Sequence, residues 1–175
     1  MSIPPPGTID RIALREIAAS NARFRKGDPS ARRAKLAFMD LGGLDLDGLD
    51  LGGADLTGAR LRGCSARGAD FRGAALFCAD LRFARMQGAD LSKADLRGCN
   101  LRGADLSGAR MAGADMREGQ LARQRLDGGG GGTGPALGGA VDAATATFKG
   151  TDLTGARLDG TIAMQVDLTD AKLAG

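Results

Sequence analysis

The chain has 175 residues, and Ala, Gly, Leu, Asp and Arg supply 31, 29, 22, 19 and 19 of them. His, Trp and Tyr are absent and net charge is only +3, which excludes imidazole catalysis, imidazole metal sites and extensive base stacking. So skewed an alphabet points to a repeat, while 43% hydrophobic and 26% charged residues suit one soluble domain with a real core.

Residues 1–33 form an N-terminal segment. Its start, Met1-Ser2-Ile3-Pro4-Pro5-Pro6-Gly7, has neither the basic nor the apolar region of a secretory signal. The spacing predicts a helix over 8–26, with Thr8 as cap, Asp10 at the positive dipole end, and Ile9, Ile12, Ala13, Ile17 and Phe24 on one face. Gly27-Asp28-Pro29 ends it. This helix is expected to plug the first coil of the repeat, with Phe24, Leu36 and Phe38 packed over it. Charge is uneven along the chain: residues 1–38 carry eight basic and three acidic groups, residues 39–123 twelve of each, and residues 124–175 four and six. The basic cluster Arg23, Arg25, Lys26, Arg32, Arg33 and Lys35 reads as the solubilising outer side of a cap, with contact to acidic lipid or nucleic acid as the alternative.

From residue 34 to 127 an apolar residue recurs every fifth position. The 18 positions from Leu41 to Leu126 are all apolar, which chance would give less than about once in a million. A small residue stands two before each, usually Ala, and Gly commonly stands two after, as in Ala54-Asp55-Leu56-Thr57-Gly58. Period five spirals around an α-helix and alternates faces on a continuous strand, so neither element fits. The spacing resolves into steps of two and three. A step of two is strand alternation with both residues inward; a step of three needs a corner, which Gly with positive φ provides. Four such units close a square coil, and stacked coils lie about 4.8 Å apart, the strand spacing. The expected core includes Leu41, Leu61, Leu81, Leu101, Leu121, Phe71, Phe148 and Leu153.

These Ala-Asp-Leu-x-Gly units resemble the pentapeptide-repeat family over residues 34–126 and 141–175. The resemblance implies an all-β fold, a right-handed quadrilateral parallel β-helix of about six coils, here with an N-terminal α-helical cap. Ala66, Ala143 and Ala163 depart at the central position, and Gly119 and Gln124 at the inner one.

Residues 128–140 are Gly-rich and read as a loop inserted at a corner, with the final coils resuming over 141–175. No second cap is visible after Leu173, which suggests an end-to-end homodimer through the C-terminal coil.

Residues 20 apart stack on one face. Arg62, Arg82 and Arg102 form a column with Arg60 beside it, and Asp50, Asp70 and Asp90 form another. Such neighbours either pair across coils or leave an anion track. Phe77, Cys78 and Phe83 occupy positions usually polar or Gly, as an exposed partner patch or as packing along a corner. Cys64 and Cys99 take the inner slot and look structural, while Cys78 looks like an exposed thiol. Three cysteines without a CxxC pair favour a reducing cytoplasm.

A filled rod has no concave site for converging groups, so an enzyme is disfavoured and no cofactor or small-molecule substrate is expected. The leading reading is a non-enzymatic scaffold presenting flat faces to a protein partner, with Arg60, Arg62, Arg82, Arg102, Phe77 and Phe83 as candidate contacts. No membrane-spanning run occurs, and nucleic acid is a weaker partner than protein. The alternative, implied by the resemblance alone, is a B-DNA mimic that binds DNA gyrase and protects it from quinolones. The neutral body and basic N-terminus disfavour it.

Overall fold

A computed structural model describes residues 9–121 and 137–173. The repeat winds as stacked coils joined by parallel bridges at a spacing of 20 residues, such as Asp40 with Arg60 and Arg60 with Asp80. Each side of a coil follows one pattern. Leu41 N–H donates to the Arg60 carbonyl at 2.7 Å and Gly43 N–H to Arg62 at 3.0 Å, while Arg60 N–H returns to Met39 at 2.9 Å. Leu44 N–H closes the corner on the Leu41 carbonyl at 3.2 Å. Gly43, the second central residue of that turn, has φ 66°, as a type II turn requires.

Inside, the two inward positions of each unit fill the coil without a pore. Leu41, Leu61, Leu81, Leu101 and Phe71 are fully buried, as are the inner Ala residues beside them. Phe148 and Leu153 are also buried. Ala66 is buried too, so the missing Leu is accommodated without opening the core. Polar substitutes in the inner slot find a partner below: Thr151 Oγ1 donates to the Leu106 carbonyl at 2.7 Å, Thr161 Oγ1 to Met116 at 3.0 Å, and Cys99 Sγ to Leu76 at 2.8 Å. The slot therefore accepts a small donor because each carbonyl has a second lone pair.

The insertion begins earlier than the composition suggested. Asn100 pairs with Asp142, a spacing of 42 residues, and Asp115 pairs with Arg157. Strand β1 (Gly119–Leu121) leaves the coil and pairs antiparallel with β2 (Leu137–Gly139). Leu121 is thus in this hairpin, and Leu101 continues its column by donating to the Asp142 carbonyl next to Ala143. The reason is local: the sequence Gly119-Gln120-Leu121 has the spacing of a repeat but not its Ala-Asp. Leu126 and residues 128–136 of the expected loop lie outside the described residues.

Helix α1 (Arg11–Arg25) lies on the first coil. Asp10 is its N-cap, accepting from Ala13 N–H at 2.8 Å; Thr8, the expected cap, lies outside the described residues. Gly27, at φ 88°, ends the helix by donating to the Phe24 carbonyl. The buried face is Leu14, Ala18 and Asn21, with Ile9 and Ile17 partly covered, whereas Ile12, Phe24 and Phe38 are exposed. The buried face differs from the expected one because a polar residue, Asn21, lies on it. It is fully buried, and its Nδ2 donates to the carbonyls of Asp50 (3.2 Å) and Gly52 (3.0 Å) while Oδ1 accepts from Ala34 N–H (2.9 Å). One amide thus satisfies three backbone groups at the edge of the coil. Replacing Asn21 by Ala is expected to cost about 2–3 kcal/mol in denaturant titrations, and Asp10→Ala only about 1 kcal/mol.

Candidate protein-binding face

The commonest polar device on the outer walls is a carboxylate that accepts from the backbone N–H two residues on, as at Asp55, Asp90 and Asp152. Where that residue is Arg, the device becomes a fork. In Asp-x-Arg units the carboxylate accepts from the backbone N–H two residues on and grips the guanidinium of the same residue. Asp80 accepts from Arg82 N–H at 3.2 Å and from Nε at 2.8 Å, with Nη2 on the second oxygen. Asp70 with Arg72, Asp95 with Arg97 and Asp115 with Arg117 repeat the arrangement. The stronger ion pairs therefore lie within a unit, whereas pairs across coils, Arg60 with Asp40 or Arg110 with Asp90, are looser at 3.8 Å. Helix α1 is the exception: Arg25 joins Asp50 and Asp70 of successive coils, and Arg11 reaches Asp45 at 2.7 Å.

The column Arg62, Arg82 and Arg102 exists as expected, each one coil above the last through the bonds Gly63 to Arg82 and Phe83 to Arg102. Its members are not equivalent. Arg82 is held by Asp80, but Arg60 stands where Arg62 would need an acid, and Asn100 stands where Arg102 would. Among the described residues neither Arg62 nor Arg102 is paired with a carboxylate. Arg62 instead lies over the Phe83 ring, 5.6 Å from its centroid. Phe83 is 51% exposed and holds φ 58°, a conformation natural to Gly. Its ring leans over Gly103, where an added Cβ would meet the ring at 2.6 Å. The face thus presents an aromatic ring with one cation, Arg62, stacked on it and a second, Arg102, in the next coil and without a carboxylate partner among the described residues.

Phe77 sits at the neighbouring corner and is half-buried. Arg97 lies 5.1 Å over its ring, and the ring closes on Gly119 at the root of the hairpin, so corner packing describes Phe77 and exposure describes Phe83. Cys78 is buried, with Sγ 3.6 Å from the Gly119 carbonyl, so it is not the exposed thiol that the sequence suggested. A cleft of about 280 Å³ runs between hairpin and arginine column, lined by Cys78, Asp80, Arg82, Asn100 and Asp142. Sequence reasoning missed Arg97 and the hairpin root. The signal for the free guanidiniums was present, as a break in the Asp-x-Arg spacing at Arg60 and Asn100.

Burial pushes the Cys64 thiol up to about 12 and raises that of Cys99 as well, so neither is a nucleophile near neutral pH. Among the described residues no group of three or more Cys, Asp or Glu side chains is placed to hold a metal ion.

The family model for pentapeptide repeats matches in eight copies, over residues 32–65, 54–92, 84–121 and 145–175. The chain belongs to the pentapeptide-repeat family. Its fold is the right-handed quadrilateral β-helix of that family. No curated protein sequence matches. Solved structures similar to it include a pentapeptide-repeat protein from the Arabidopsis thaliana thylakoid lumen, 31% identical, covering 65% of this chain and 94% of that one (TM-score 0.45). HetL from the cyanobacterium Nostoc sp. strain PCC 7120, involved in heterocyst differentiation regulation, is 28% identical, covering 81% and 71% (TM-score 0.34). QnrB1, a plasmid-mediated fluoroquinolone resistance protein, is 24% identical, covering 75% and 63% (TM-score 0.45).

The forks give the wall a defined pH response. The Arg117 side chain beside Asp115 holds that carboxyl at about 2, and Asp70, despite the opposing effect of burial, is held well below the usual range by Arg72 and Arg25. A carboxylate depressed in the folded state stabilises it above the unfolded pKa of about 4, and that contribution is lost as pH falls through the folded values. Thermal melts are expected to be nearly flat from about pH 7 to 5 and to fall between about pH 4 and 2.

Proposed function

We propose that this pentapeptide-repeat protein is a non-enzymatic scaffold whose arginine face, Arg60, Arg62, Arg82 and Arg102 with Phe83, docks a protein partner, with Phe77 bracing the hairpin alongside. The observation that carries it is Phe83. A large apolar ring is held in the open, in a backbone conformation that costs about 1 kcal/mol or more relative to Gly, with an unpaired cation on its face. Folding gains little from that arrangement; an aromatic anchor beside Arg is what interface centres use. Helix α1 serves as the N-terminal cap of about six coils, and the scaffold role calls for no cofactor. Three cysteines without a disulfide fit a reducing cytoplasm. The DNA-mimic alternative fares worse, because mimicry needs unneutralised carboxylates along the walls and the forks neutralise Asp70, Asp80, Asp95 and Asp115.

Phe83→Gly is the clean probe, since Gly relieves the positive φ and the melting temperature is expected to stay within about 2 °C. Affinity capture from the native cell, read by quantitative mass spectrometry, should lose its main partner with Phe83→Gly and with the pair Arg62→Ser, Arg102→Ser. Equal capture by all three proteins overturns the reading.

Self-association is a second reading with its own observation. At the last described coil Leu158, Ile162, Leu168, Met164 (63%) and Leu173 (57%) are exposed around an apolar cleft of about 240 Å³. This end supports a tail-to-tail homodimer. Sedimentation equilibrium should show a dimer that Leu168→Asp with Leu173→Asp dissociates; a monomer at every accessible concentration refutes it.

A further inference from the structure

The pole of the rod under α1 carries more basic than acidic groups, and part of that excess has no ion-pair partner among the described residues. Arg11 and Arg15 turn to Asp45, and Arg25 to Asp50 and Asp70. Lys26, Arg32, Arg33 and Lys35 are exposed, and among the described residues none of them is ion-paired. Two of the four are held in place by backbone carbonyls, which orient a guanidinium without neutralising it. Arg32 Nη1 donates to Pro29 (3.2 Å) and Ala31 (3.1 Å), and Arg33 Nε donates to Gly53. With Lys35, Ser20 and Ile17 they line a cleft of about 310 Å³ between α1 and the chain entering the first coil.

The same pole is apolar at its outermost point. Ile12 is 72% exposed, on the side of α1 opposite the buried Leu14, Ala18 and Asn21. Arg15 and Arg23 share its helical face, at spacings of three and eleven residues, with one acid, Glu16, four residues on, and all three are exposed. Phe24 is exposed on the flank.

We propose that this pole docks the rod end-on to an anionic lipid surface. Cations spread over the C-terminal end of α1 and the loop after it, with Ile12 exposed at the helix's other end, match mobile headgroups that need no fixed spacing. An acidic protein segment would instead call for cations in one register, as on the arginine face. The aliphatic stems of Lys and Arg can lie in the headgroup layer while the charges reach phosphate. The sequence set a membrane aside for want of a spanning segment, and among the described residues no helix is long and apolar enough to cross one. Peripheral docking needs neither. It uses none of the Phe83 face, so each proposal fails separately.

Co-sedimentation of the full chain with phosphatidylcholine vesicles, with and without about one third phosphatidylserine, tests it. Binding is expected only to the anionic vesicles and should weaken steeply with salt. Each cation near such a surface contributes roughly fivefold, so the triple variant Lys26→Gln, Arg32→Gln, Lys35→Gln should bind about a hundredfold more weakly. Lys26→Arg with Lys35→Arg should retain binding, which separates charge from folding. No sedimentation at low salt, or equal sedimentation of the triple variant, overturns the proposal. Binding to soluble polyglutamate with none to vesicles overturns it in favour of an acidic polypeptide.

Discussion

Every other feature depends on the corner between one pentapeptide and the next. A chain that must turn after each short extended stretch needs a positive φ once every five residues, and Gly at Gly43, Gly63 or Gly103 meets it without a Cβ. Once the corners are set, the backbone between them can exchange hydrogen bonds only with the coils above and below. The side chains are then sorted, inward at the small residue and the Leu, outward elsewhere. Core, wall and charge pattern all follow from that spacing.

Where the corner residue is not Gly, the strain carries information. Phe38, Cys78, Phe83, Lys93 and Thr145 all hold φ near 60°. Of these, Cys78 is held against the hairpin root and Phe83 is stacked beneath Arg62. The walls show the same logic in charge. Asp-x-Arg forks are closed locally, so a wall built of them is neutral at short range whatever its Asp count. On the arginine face, charge becomes available where a fork is broken, at Arg62 and Arg102. Counting residues along a column therefore overstates the anion track that Arg62, Arg82 and Arg102 seemed to make.

The repeat was legible because periodicity is a property of the sequence itself: the burial of Leu41 through Leu101, Phe71, Phe148 and Leu153 needed nothing but spacing. The helix was legible in extent but not in orientation. Its buried side is fixed by Asn21, whose amide answers backbone groups of Asp50, Gly52 and Ala34 that only the stacked coil brings near. The insertion was misplaced for a related reason. Leu121 keeps the period of five, and only the pairing of Gly119–Leu121 with Leu137–Gly139 shows that the chain has already left the coil. Composition located Arg62 and Phe83, but their partnership depends on the ring crossing one coil height, a distance no single unit records.

The hairpin has a consequence for what such a rod can become. Its two strands leave and rejoin the coil side by side, Gly119 opposite Gly139, and the ladder resumes at Asp142 without a change of phase. The coil therefore senses only the closeness of the two ends and not the length between them. That corner is a grafting point: a foreign peptide or domain whose termini lie equally close could be spliced there and carried at a fixed height along the rod.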